Sequence, residues 1–312
     1  MPYRLDLDDL PSAFASLVRR EVKRIAHYSH LDPDARQETA AVHDLRKSVK
    51  RLRAVLRLAD GATDEASLHG LDRHIRKLGR WYAPARDQAV TSTLLDDLIS
   101  DGTIKSKILA GKLKAACVVE VAPAGTIDFD IDDTMRRFDA LTFQTATLET
   151  VVRSASRAYK RARHGRGRAE RAGTSDAFHD WRKLVQRHAR HMQLLADLWP
   201  EEMQVRLETA KELSDVLGEE HDFSGLDRCL ATIAMAPAQR RALDRVRLTI
   251  AARQAALRVS SLALGGRLFA ERSRAFRGRL EAYASERDTR AATATKIDTA
   301  APPLLVPKRQ FV

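Results

Sequence analysis

The chain has 312 residues, with 54 Lys and Arg against 42 Asp and Glu, for a formal charge of +12. An excess of this size points to a polyanionic partner (nucleic acid, anionic membrane or polyphosphate) without choosing among them. Hydrophobic residues make up 44%, enough for a sizeable core, and the length suits two compact units or one duplicated unit. No run approaches the roughly 18 uncharged apolar residues of a membrane span, and Met1–Asp6 lacks the apolar core of a secretion signal. Cys117 and Cys229 are too far apart for a metal knuckle, so two unpaired thiols are the simpler expectation, with a single disulfide as the alternative. The protein is therefore expected to be soluble and cytoplasmic, with no membrane association, bound metal or cofactor.

In chain order, helical periodicity dominates and about nine or ten helices are predicted. Asp32-Pro33 reads as an N-cap followed by Pro at the first helical position, and Pro84, Pro123 and Pro237 mark breaks. The best strand signal, Cys117-Val118-Val119-Glu120-Val121, equally suits the end of a buried helix. A linker is expected from Val121 to Asp133, and a Gly/Arg-rich loop from Gly165 to Ser175. Pro200-Glu201-Glu202 places acid in a first helical turn. Beyond about Arg287 no apolar period persists, and residues 287–312 are expected to be a disordered tail.

The chain repeats itself. Val42-His43-Asp44-Leu45-Arg46-Lys47 recurs as Phe178-His179-Asp180-Trp181-Arg182-Lys183, 136 residues on. Val18–His30 matches Val152–His164 at an offset of 134, and Leu78–Asp87 matches Leu213–Asp222 at 135. Three blocks in the same order with nearly constant offset indicate a duplication, with units at residues 8–125 and 126–286.

Within the first copy, Leu45, Val49, Leu52 and Leu56 form a stripe expected to be buried. His43, Arg46, Lys47, Lys50, Arg53 and Arg57 form a separate cationic face, on which Asp44 is the lone acid before Ala59. Most exposed helices intersperse acids to relieve such repulsion, so its absence marks a candidate site. The second copy keeps Trp181, Val185 and Met192 on the buried stripe, with His188 in the place of Leu52. Its basic face holds His179, Arg182, Lys183, Arg187 and Arg190, and has lost charge at Gln186 and Gln193.

Arg presents a planar fork that matches phosphate oxygens, and Lys a compact charge. Several at helical spacing make a row that a flexible phosphate chain can follow. A phosphate beside His43 or His179 would favour the imidazolium form, so affinity would weaken as pH rises. Asp87 and Asp222, recurring after the third helix of each unit, are expected to support the rows structurally.

At these blocks the sequence resembles the CHAD family, the conserved histidine α-helical domain. The residues that carry the resemblance are Val42–Lys47 with Lys50-Arg51-Leu52-Arg53, Phe178–Lys183 with Arg187, and the segments Ala83–Asp87 and Leu217–Asp222. The resemblance spans about residues 8–286. It implies an all-α fold of two sequence-related four-helix-bundle halves with internal pseudo-two-fold symmetry. It also implies a basic surface that binds inorganic polyphosphate, in some members at polyphosphate granules. His188, Ala189, Gln186 and Gln193 make the second half less basic than the family pattern. The Glu-x-Glu-x-Lys signature of the triphosphate tunnel enzymes that often accompany the family is missing, so that activity is not expected.

Three rivals are weaker, one of them a helical protein–protein scaffold, which would call for an exposed apolar patch in place of the uncompensated cationic one. A metal-dependent phosphohydrolase would use the His-Asp pairs at 43–44, 179–180 and 221–222, but cations crowd two of the three and oppose a metal. Nucleic-acid binding is permitted by the charge, at least weakly and nonspecifically, yet aromatics are only 5% and stacking platforms need them. The expectation is non-catalytic polyphosphate binding, with more of the contact in the first half; the sequence carries no signal of oligomeric state.

Overall fold

The computed structural model describes residues 3–29, 39–81, 83–117 and 131–300. Among these residues every regular element is helical, giving eleven α-helices where nine or ten are expected. They are α1 (Leu10–Ser29), α2 (Thr39–Leu58), α3 (Glu65–Trp81), α4 (Ala83–Ser100), α5 (Lys107–Cys117) and α6 (Ile131–Asp139). Then follow α7 (Leu148–Ala172), α8 (Ser175–Leu194), a one-turn 3-10 helix (Ala196–Leu198), α9 (Pro200–Ala231), α10 (Pro237–Leu268) and α11 (Ser273–Ala300). No helix among the described residues is long and apolar enough to cross a membrane. Asp32-Pro33, Pro123 and most of the expected linker lie outside the described residues.

The two repeated helices, α2 and α8, are each twenty residues long and start 136 positions apart, at Thr39 and Ser175. Their apolar stripes are buried as the spacing predicts: Leu45, Val49, Leu52 and Leu56 on α2, and Trp181, Val185 and Met192 on α8. His188 occupies its stripe position fully buried, an imidazole among the aromatic rings of Tyr159, Phe269 and Phe276. Pro200 and Pro237 open α9 and α10 at positions whose N–H would be unpaired in any case, and Glu201 and Glu202 fill the first turn of α9.

The expected Gly/Arg-rich loop is instead the last two turns of α7. Its glycines read as breakers, but Gly165 is there for close packing: a Cβ on it would lie 2.9 Å from Leu184 Cδ1 and 3.0 Å from Trp181 Cδ1. Gly265 of α10 faces the same indole from another side, where a Cβ would lie 2.5 Å from Trp181 Cζ2. The turn comes later, at Gly173, whose left-handed φ of 63° caps α7 and returns its N–H to Ala169 O. Thr147 and Thr150 close the other end of α7 in a reciprocal capping box.

The ordered tail also differs from expectation. Helix α11 runs past Arg287 to Ala300, and residues 301–312 lie outside the described residues. Its apolar anchors, Phe276 and Leu280, come early. Beyond them Tyr283 and Ala284 still pack on the core, Tyr283 with its ring 5.0 Å from that of Trp199. Polar contacts follow that leave no apolar period: Arg287 pairs with Asp8, Arg290 pairs with Glu286 at 3.0 Å, and the Arg290 guanidinium lies 4.8 Å from the Trp199 ring centre. The N-terminal segment belongs to the core as well. Tyr3, Leu5 and Leu7 are buried, the Leu5 N–H donates to Leu194 O at 2.9 Å, and the Tyr3 hydroxyl donates to Arg51 O at 2.7 Å. The packed unit therefore begins upstream of residue 8.

Two apolar cores result, and neither follows the division at residue 125. The main one joins α1–α3 to residues from α6 through α11. The smaller one joins Leu95, Leu98, Leu109 and Leu113 of α4 and α5 to Phe223, Leu226, Leu243, Val246 and Ile250 of α9 and α10. Each expected half thus completes its burial against the other, and α2 and α8 meet at the centre, where His191 Nε2 lies 3.2 Å from Ala54 O.

Candidate functional site

On α2 the basic face divides. His43, Lys47 and Lys50 are exposed along its first turns, with Arg46 partly buried. Asp44, the lone acid of the row, is engaged by Tyr28: burial raises the pKa of that phenol, and the charge and hydrogen bond of Asp44 raise it further. Towards the end of the helix, Arg53 and Arg57 turn to a carboxylate from the next helix. Arg53 Nε donates to Asp72 Oδ1 at 2.8 Å, and Arg57 Nη2 to Asp72 Oδ2 at 2.7 Å. Burial opposes ionisation of Asp72, but the hydrogen bond and charge of Arg53 and then of Arg57 outweigh it and hold the carboxyl below its usual range. Compensation missing along α2 is therefore supplied across from α3.

On α8, Arg187 and Arg190 are deeper and less compensated. Arg187 is half-buried and forms no ion pair among the described residues. Burial, then the charges of Arg57, Arg53 and Arg161, push its guanidinium down to about 10, and Asp72 is the opposing charge. Arg190 donates to Gln186 O at 3.0 Å. Burial lowers its pKa, Tyr3 opposes, and Arg51 and Arg182 lower it further. Both remain cationic near neutrality, at an energetic cost that a bound anion would relieve.

At the start of α8, His179 is half-buried and its ring stacks on His221 of α9, with centres 3.8 Å apart and planes at 19°. Burial, then His221, Lys183 and Arg182, push its pKa down to about 4. In the unliganded protein this imidazole is neutral, and the imidazolium expected beside phosphate would have to be created by the ligand. Lys183 reaches Asp180 at 2.9 Å on the exposed side. Arg182 lies across α9 at Gly218, where a Cβ would sit 3.0 Å from its Nη2.

The expected residues therefore form two groups. Arg53 and Arg57, paired to Asp72, lie with Arg161 of α7 in the charge field of Arg187. Arg51 and Arg182 lie near Arg190, and Arg182 also reaches the charge field of His179 beside Lys183. His43 and Lys47 form no ion pair among the described residues, and they sit at the exposed start of α2. Asp87 lies outside the residues whose side chains are described; Asp222 is partly buried on α9.

Sequence reasoning missed Arg51, Arg161 and Asp72 as site residues. A signal for Arg51 exists in the repeat, since it stands 136 residues before Arg187. Asp72 and Arg161 carry none, because only the packing of α3 and α7 against α2 and α8 brings them in.

A search of curated proteins finds no match for this chain. Among solved structures, PptA from Streptomyces chartreusis superposes with a TM-score of 0.59 at 16% sequence identity, covering 80% of this chain and 97% of that one. At that identity the likeness speaks for the fold alone. The CHAD domain profile matches residues 22–231, more than half of the sequence and inclusive of both repeated helices, and the chain belongs to the CHAD domain family.

Proposed function

We propose that this chain binds inorganic polyphosphate without catalysing its conversion, along the basic faces of α2 and α8. The observation that carries the reading is the grouping of four arginines from three helices: Arg53 and Arg57, paired to Asp72, and Arg187, whose guanidinium lies in the field of Arg57, Arg53 and Arg161. Guanidinium groups so placed suit successive phosphates of a flexible chain, and the partly desolvated setting strengthens each contact. The family resemblance names polyphosphate; the charge and geometry alone ask only for a polyanion. The equal lengths and constant offset of α2 and α8 support an internal pseudo-two-fold relation between two four-helix halves, with unequal charge on the two faces. Association with polyphosphate granules belongs to the same proposal.

Titration with polyphosphate of defined lengths at two salt concentrations tests it. Affinity should rise with chain length and fall steeply with salt, as counterion release requires. Equal binding of short and long chains would replace the extended site by a single-phosphate one. Duplex DNA outcompeting long polyphosphate at physiological salt would favour the nucleic-acid reading. Phosphate release on incubation with polyphosphate and Mg²⁺ or Mn²⁺ would overturn the non-catalytic part.

A further inference from the structure

We infer that Cys117 and Cys229 form a thiol–disulfide pair, a covalent modification site that staples α5 to α9 when a glutathione-type disulfide oxidises it. The chain has two cysteines, 112 residues apart, and the fold sets their Sγ atoms 2.7 Å from each other. A disulfide bond is about 2.05 Å long, so closing it needs little movement of either helix. The pair sits in the smaller core, where Leu113 and Leu230 supply the apolar burial that packing requires. Nothing in that packing demands sulfur against sulfur.

The two thiols are unequally placed. Cys117 is buried and Cys229 is partly exposed. Burial, then the hydrogen bond to Cys229, push the Cys117 thiol up to about 12, so Cys229 is the group that an oxidant meets first. The Cys229 thiol loses its proton to water and its sulfur attacks oxidised glutathione, forming a mixed disulfide and releasing one glutathione thiolate. The Cys117 thiol then gives its proton to the released glutathione thiolate, and its sulfur attacks Cys229 Sγ. The Cys117–Cys229 bond forms as the second glutathione thiolate leaves. Two protein thiols are oxidised, one glutathione disulfide is reduced to two thiols, and no other reactant is needed.

The staple would join the smaller core across the two expected halves and restrict the unfolded chain over a long loop. This inference does not rest on the polyphosphate reading. The test takes the full chain, fully reduces it, and equilibrates it with oxidised glutathione under native conditions. Free thiols are counted by maleimide labelling after denaturation, alongside intact mass, a non-reducing gel and thermal melts. The expected product is monomeric on the gel, lighter by two hydrogen atoms, free of glutathione, and melts about 5 °C or more above the reduced form. Cys117→Ser and Cys229→Ser should each abolish the redox dependence of the melt. Retention of both thiols, glutathione on each cysteine, or bonds only between chains would overturn the pair; equal melting of oxidised and reduced protein would overturn the staple. Should either variant fail to fold, the wild-type comparison decides alone.

Discussion

Helices α2 and α8 share one sequence pattern but solve the problem of packed positive charge in opposite ways. In α2, Arg53 and Arg57 are neutralised by Asp72, brought in from α3. In α8, Arg187 and Arg190 are drawn further into the protein and meet chiefly other arginines. The count of charges along the sequence favours the first copy as the main contact. What a polyanion can exploit is charge not already satisfied, and by that measure Arg187 and Arg190 offer more than Arg53 and Arg57. A cation paired to a carboxylate must give up that partner to gain a phosphate; a desolvated arginine among like charges only gains.

The largest expected effect sharpens the contrast in the apolar stripes. Trp181 on α8 stands where α2 has Leu45, and the indole needs the bare backbones of Gly165 and Gly265. Gly265→Ala should cost about 3 kcal/mol in chemical denaturation, since the indole is fully buried and has no room to shift. A cost near zero would show that α10 moves freely against α8.

Next, Asp72→Asn should release Arg53 and Arg57. Stability should fall by about 2 kcal/mol as the paired charges lose their carboxylate, while polyphosphate affinity rises several-fold. An unchanged or weaker affinity would mean that Asp72 orients the arginines for the ligand and does not compete with it.

Arg187→Gln should lower polyphosphate affinity about tenfold, close to 1.4 kcal/mol, with melting temperature unchanged or raised because like-charge repulsion is relieved. Arg57→Gln should cost less affinity. The reverse order in parallel titrations would restore the first copy as the dominant contact.

The smallest effect concerns acid. His188 and His191 are buried on α8, and burial is the first cause that pushes each pKa down to about 3. Their counterparts on α2 are Leu52 and Val55. The folded state keeps both rings neutral, whereas the unfolded chain takes up protons near an ordinary pKa of about 6.5. The unfolded state thus binds more protons below that point, so stability holds above it and declines as pH falls towards 3. Both ring nitrogens of His188 are buried without a hydrogen-bond partner. His188→Leu should therefore add about 1 kcal/mol at neutral pH and flatten part of the acid decline. An unaltered pH profile would place the acid sensitivity elsewhere.

The sequence by itself determined the helical class, the repeated pair of helices, their buried stripes and the rows of cations beside those stripes. These are properties of one helix at a time, fixed by a period of 3.6 residues. Tertiary structure decided the rest. Gly165 reads as a loop breaker and serves as a contact for Trp181, because its partner lies on another helix. The Ala/Thr-rich stretch after Arg287 reads as structureless and is helical to Ala300, because Asp8 and Trp199 hold its start from elsewhere in the chain. Asp72 and Arg161 enter the site only when α3 and α7 pack beside α2 and α8. Whether a charge is free or already satisfied depends on such neighbours and on burial, and neither is written in the spacing along one helix.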